Sequence, residues 1–389
     1  MRPVRQWLIG TLAAAGLAGG CAVVAGLDGD RTMESPGSGG AGTSTATQGG
    51  AGHAEGGGGQ RDGGGAPDAG GCKLASFPAP PDVANAGGSV EVVAAIRALD
   101  VGDTGTTVGL DLDAKCTCEG DGPSCRHPDW MAEDACDGPE GRDARTTEVF
   151  RQLVLISGGS GGTDDFTSTA ELGSWTMIVR VLGWNGLPDD DRVAVSVFPS
   201  SGLPKADKPP KWDGTDRWPV PNTAIAEGGA GVDQPRYVDL NAYVSGSVLV
   251  ASLPESEMLI AGSSTYVPVH FIAGFLTGRL VDVGGKWGLR EGVVAARWKL
   301  TDIFRSLSAV KVAGNRLCTG DPYYIGAKKI LCELPDITGA LASPTAECDA
   351  VSVGMLYDAD PATIGDVTAP FEETSPCDPG KDPTNDTCP

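Results

Sequence analysis

Trp175-Thr176-Met177-Ile178-Val179-Arg180-Val181 and Arg192-Val193-Ala194-Val195-Ser196-Val197-Phe198 are two runs rich in β-branched residues. Between them stands Trp184-Asn185-Gly186-Leu187-Pro188-Asp189-Asp190-Asp191. β-branched side chains pack well on a pleated surface, and Asn, Gly, Pro and Asp supply the dihedrals and side-chain hydrogen bonds that turns need. The stretch therefore predicts an antiparallel hairpin. Similar short runs at 236–240, 243–251, 258–262, 266–273, 276–283, 292–298 and 351–357 are punctuated by Gly, Pro and Asp. Thr106 to Asp113 alternates with period two, which predicts a further strand carrying Asp111 and Asp113 on one face. Many short strands at regular spacing predict a mainly β fold, an antiparallel sandwich or jelly-roll-like domain. One or two short helices are expected, over Arg142–Leu155, where Leu153–Ile156 reads equally as a strand, and over Leu300–Leu307 with Thr301 as N-cap. The tail from Thr368, rich in Pro, Asp and Cys, is expected to wrap the surface under disulfide restraint.

Upstream the composition changes. Residues 1–20 hold Arg2 and Arg5, then an uncharged apolar run from Trp7 to Gly20 and small residues before Cys21. That is the layout of a secretory signal, too short and Gly-rich for a spanning helix. Leu17-Ala18-Gly19-Gly20-Cys21 resembles the lipobox of bacterial lipoproteins, with Ala18 where that family usually has Leu. The resemblance implies cleavage before Cys21, lipidation of its sulfur and acylation of its new amine with a fatty acid such as palmitate. From Ser35 to Gly71 the chain collapses to Gly, Ala, Ser, Thr and a few charges, so no face can be buried to offset ordering entropy. Residues 21–71 therefore predict a flexible tether, spanning about 35–45 Å by the scaling for Gly-rich chains. A lipobox, a Gly-rich tether and an acidic Cys-bearing domain over 72–389 together resemble myxobacterial surface lipoproteins. That resemblance implies an address, at the outer membrane facing the surface or periplasm, and no activity.

Charge and cysteines fit export. Without Arg2 and Arg5, 27 basic residues face 51 acidic ones, which disfavours nucleic acid and anionic lipid as partners. Cys21 belongs to the anchor. The other ten, Cys72, Cys116, Cys118, Cys125, Cys136, Cys318, Cys332, Cys348, Cys377 and Cys388, predict up to five disulfides among about nine hundred connectivities. Local bridges Cys377–Cys388 and Cys318–Cys332 are the expectation. Zinc on Cys116, Cys118, Cys125 and Cys136 with His127 is the competing reading, without paired C-x-x-C knuckles to support it.

Three constellations carry possible chemistry. Gly158-Gly159-Ser160-Gly161-Gly162 matches G-x-S-x-G, with His270 downstream and Asp239 between them as the acid of a serine hydrolase. In a chain of 58 glycines a plain glycine loop is the stronger reading, and His270 reads first as a half-buried strand residue. Asp111, Asp113 and Asp189, Asp190, Asp191 offer hard oxygens for calcium, against a default of solvated loop charge. Asp121, Asp129, Asp134 and Asp137 add acid to the cysteine loop. Trp184, Trp212 and Trp218 lie in turn-rich segments where an exposed ring would stack on a carbohydrate, or else plug the end of the sandwich. The expected function is a non-enzymatic binding or structural module of the cell envelope, with a carbohydrate or protein ligand; the alternatives are the hydrolase and calcium-dependent carbohydrate binding.

Overall fold

The computed structural model describes residues 72–82, 85–131, 135–157, 161–263, 266–312, 315–339, 345–370 and 377–389. The signal peptide, Cys21, the tether, Asp134 and Ser160 lie outside the described residues. Eight strands carry the fold: β1 (Val90–Asp100), β2 (Thr176–Trp184), β3 (Asp190–Ser200), β5 (Val238–Ser245), β6 (Val248–Ala261), β7 (Tyr266–Val283), β8 (Lys286–Lys299) and β11 (Ala350–Pro361). Short strands β4 (Arg217–Pro221) and β12 (Thr363–Thr368) pair in parallel, and β9 (Lys311–Val312) with β10 (Asn315–Arg316) antiparallel. The helices are α1 (Thr146–Ser157), α2 (Thr163–Glu171), α3 (Leu300–Leu307) and α4 (Pro322–Leu331).

The mainly β, antiparallel class holds. The eight long strands are hydrogen-bonded in the order β1-β11-β8-β7-β6-β5-β3-β2, and β2 returns to β1, so the ladder closes into a barrel. Closure leaves no long strand of the ring with an unpaired edge. The hairpin of β2 and β3 forms as expected, with Ile178 opposite Phe198 and Val181 opposite Val195. At the tip of the β7–β8 hairpin, Gly284 and Gly285 both take positive φ, +65° and +84°, as a two-residue turn matched to strand twist requires.

Several expectations are corrected. The stretch 243–251 is not one strand, because the chain turns at Gly246-Ser247 between β5 and β6. Conversely 266–273 and 276–283 are one strand, β7, bent by a bulge at Ala273, where φ is +46°. Thr106–Asp113 is no strand: only Leu110 bridges, to Asp143, since Gly109 takes φ +89° and Asp111 Oδ1 accepts the backbone N–H groups of Asp113 and Ala114. Those side-chain bonds curl the backbone away from extension. The first helix begins at Thr146, not Arg142. Lys299, without a side-chain bond, occupies the N-cap position of α3 where Thr301 was expected.

One apolar core fills the ring and reaches the helices that cover it, with Trp175, Phe166, Phe198, Trp218, Phe271, Trp298 and Phe304 all buried. Helix α2 packs on β1, α1 on β11 and α3 on β7. Five disulfides close the periphery: Cys72–Cys116, Cys118–Cys136, Cys125–Cys348, Cys318–Cys377 and Cys332–Cys388. Both expected local bridges are overturned. The tail lies against the α4 region, with Thr319 N–H donating to Lys381 O and Lys328 Nζ to Asp386, so each tail cysteine meets a partner more than fifty residues away in sequence. Disulfide bonding also takes all four loop cysteines out of contention as zinc thiolates.

Candidate functional site

The segment after Gly109 delivers a group of carboxylates to the outside of β8 and β11. It approaches closely because two glycines meet: a Cβ on Gly354 of β11 would lie 2.7 Å from Gly109 Cα. Beyond this crossing, Asp111 and Asp113 project from a loop, and Asp143 joins them from the bridge to Leu110. One oxygen from each lies within 4.8 Å of the others, the only such group of metal-ligating side chains among the described residues. Asp143 is buried and accepts Leu112 N–H at 2.6 Å. Asp113 accepts Lys115 N–H at 3.0 Å and is bonded by Ser124 Oγ. Asp137 accepts Thr117 N–H at 2.6 Å, and Asp336 is held by Ser352 through N–H and Oγ at 2.8 and 2.5 Å.

Burial and mutual repulsion set the electrostatics. Desolvation, then the nearby Asp336 and Asp113, push Asp143 up to about 9, so it carries a proton at neutral pH. Asp137 and Asp336 are pushed up to about 6, chiefly by desolvation, and Asp111 is raised for the same first reason. The local countercharge is Arg297, 2% exposed, which donates to Leu112 O at 2.7 Å and Ala273 O at 3.1 Å. Burial lowers its own pKa against the pull of Asp143 and Asp113. A polar cleft of about 350 Å³ opens beside Asp137, Asp143 and Asp336, walled also by Arg142, Arg145 and Arg151. The carboxyl groups of Asp111, Asp113 and Asp143 are hard oxygen donors, suited to calcium, which would displace the Asp143 proton, and not to a soft metal.

The other sequence-derived residues are placed differently. Asp189, Asp190 and Asp191 do not converge on a common point; each is used on backbone N–H groups, of Gly246, of Asn185 and Arg192, and of Asn85. Trp184 and Trp218 are buried rather than ligand-facing. Trp184 donates to Leu187 O at 2.9 Å and meets Trp287 edge to face at 4.6 Å. Trp212 lies 5.3 Å from Trp218, with the Arg97 guanidinium 5.7 Å over its ring. The turn-rich loop folds inward because Asp216 accepts both Lys211 and Trp212 N–H, drawing the rings onto the core.

His270 is half-buried on β7, its Nε2 2.7 Å from Glu255 Oε1 and its Nδ1 3.3 Å from Asp302 Oδ2. Asp239 is bonded to Asn241 and Ser252 N–H. The segment before residue 158 is helix α1, so the strand that a nucleophile elbow requires is replaced by a helix. Sequence reasoning missed Asp143 and Asp336, which reach the acidic group from distant segments. It also missed Trp130, which at 41% exposure is the most exposed tryptophan among the described residues. Comparison with known protein families, with curated proteins and with solved structures finds no match to this chain.

Proposed function

We propose that the chain is a cell-envelope lipoprotein, acylated at Cys21, whose tether presents the β domain as a non-enzymatic binding or structural module. One observation carries the reading. Ten of the eleven cysteines pair among themselves, so Cys21 has no disulfide partner left in the chain. A cysteine kept out of the disulfide set and placed behind an apolar leader suits a thiol reserved for lipid. The five disulfides are compatible with an extracellular or periplasmic address; outer-membrane anchoring is the finer proposal. No helix among the described residues is long and apolar enough to cross a membrane; in this reading the acyl chains on Cys21 make the attachment. Labelling with radioactive palmitate tests it. The wild-type chain is expected to take up label and follow the membrane fraction, and Cys21→Ser to do neither; label retained by Cys21→Ser refutes it.

A second reading is favoured by the convergence of Asp111, Asp113 and Asp143: the domain carries a structural calcium ion there. Thermal unfolding in EDTA and in millimolar calcium tests it. A ligand bound only to the native state raises stability by about 2.7 kcal/mol at a hundredfold excess over Kd. Superimposed transitions refute the ion.

A further inference from the structure

A second concavity, whose lining shares no residue with that of the acidic cleft, is built around Trp130. This residue follows Pro128 in the cysteine loop, in a turn closed by Met131 N–H to Pro128 O at 3.0 Å. Its indole Nε1 donates to Cys332 O at 3.4 Å, which fixes the ring while 41% of the residue stays open to solvent. The groove beside it has a volume of about 420 Å³ and a floor that includes Phe304. Its polar lining includes Lys299, Thr301, Glu347 and Asp349. Two disulfides frame it, Cys125–Cys348 from the loop to the start of β11 and Cys332–Cys388 from α4 to the tail, and Cys348 and Cys388 themselves line the groove. The shape is therefore set before any ligand arrives, which lowers the ordering cost of binding.

Polar capacity is left open in it. The Lys299 ammonium has no hydrogen-bond or ion-pair partner among the described residues, and its stem passes where a Cβ on Gly339 would lie, 2.4 Å from its Cε. Asp349 uses Oδ1 on Gly339 N–H. Glu347 is paired to Arg126 in an exposed bridge at 3.1 Å, which solvent screening makes weak.

We propose that this groove binds a neutral oligosaccharide, one pyranose stacking on Trp130 and its hydroxyls bonding Lys299, Thr301 and Asp349. The inference rests on the binding-module reading and locates its ligand. A sugar ring offers an apolar C–H face to an aromatic and a rim of hydroxyls that are both donors and acceptors. One exposed indole beside an ammonium, a hydroxyl and carboxylates matches that alternation. The volume falls within the range of about 300–1,000 Å³ found for small-ligand sites. Carboxylates outnumber the ammonium in the lining, so a glycan carrying carboxylates of its own is repelled. A proline-rich peptide needs a groove lined by several aromatic rings, and Trp130 is the one tryptophan in the lining of this groove.

The test uses the full chain carrying Cys21→Ser, oxidised, titrated calorimetrically with cellotriose, maltotriose, mannotriose, chitotriose, trigalacturonate and a PxxP peptide. At least one neutral trisaccharide is expected to bind at about millimolar affinity or tighter, a threshold near −4 kcal/mol. Trp130→Ala is expected to weaken it by about tenfold or more, near 1.4 kcal/mol, Trp130→Tyr to keep most of the affinity, and Lys299→Met to weaken it. Unreactive cysteines and an unchanged melt certify that each variant is folded. The proposal is overturned if no neutral sugar binds at about 10 mM. It is equally overturned if Trp130→Ala binds like its parent, or if trigalacturonate or the peptide is preferred. Palmitate labelling reads the anchor separately, so failure of the sugar and failure of the lipoprotein reading are distinguishable.

Discussion

Asp143→Asn exchanges a buried carboxyl, which holds its proton when folded, for a neutral group of the same shape that can still accept Leu112 N–H. In EDTA, wild-type Asp143 releases its proton near 3.8 when unfolded and near 9 when folded. The folded state thus binds more protons between those values. The stabilisation from this group is complete below about pH 4 and is lost as pH rises toward 9. Asp137 and Asp336 act with the same sign, but their folded values of about 6 exhaust their effect at lower pH. The window from about pH 6.5 to 9 therefore isolates Asp143, at about 1.36 kcal/mol per pH unit, or about 3 kcal/mol across it. Urea unfolding with disulfides intact, repeated across that window, reads the effect directly. Wild-type stability is expected to fall by about 3 kcal/mol more than that of Asp143→Asn. At about pH 9 the variant is expected to be the more stable protein. Parallel pH profiles for the two proteins would refute the picture of a protonated carboxyl enclosed by Asp113, Asp336 and Arg297.

Replacing Cys125 and Cys348 by Ser removes the bridge between the cysteine loop and β11, 223 residues apart in sequence. A loss of about 2–5 kcal/mol in the same unfolding assay is expected, and an unchanged midpoint would show that the loop is held without it. Trp218→Ala is expected to cost about 3–5 kcal/mol because the ring is fully buried; a cost below about 0.5 kcal/mol would mark a surface ring instead. Gly354→Ala forces a methyl against Gly109 and is expected to cost about 1–3 kcal/mol. It should also flatten the pH profile of the acidic group, and a wild-type profile would sever that group from the glycine crossing.

The hairpin of β2 and β3 was legible because its β-branched runs flank a turn built from Asn, Gly, Pro and Asp. Strand β1 was not, although it closes the ring. Ala94, Ala95 and Ile96 are all buried, so the period-two alternation that marks a half-exposed strand is missing. The opposite failure occurs at Thr106–Asp113, where alternation is present but Gly109 and the aspartate side chains impose a curved loop. Asp111 and Asp113 were singled out by the spacing of an expected strand, but it is the curved loop that brings them together. Asp143 and Asp336 could not be singled out, because the barrel and not the sequence brings them there. Trp184 and Trp218 were open to two readings, since turn-forming neighbours announce a loop and a loop can present its rings or fold them inward; here they are folded inward. Cysteine count foretold the number of disulfides, whereas local spacing misjudged the tail, whose path along α4 is a tertiary property.

Mass spectrometry of the chain purified from its own envelope, alkylated before and after reduction, tests the central claim most directly. The account predicts a mature N-terminus at Cys21 bearing diacylglycerol and an amide-linked acyl group. It also predicts that the other ten cysteines take up label only after reduction. An unmodified Cys21, a different N-terminus, or a free thiol among those ten would contradict it.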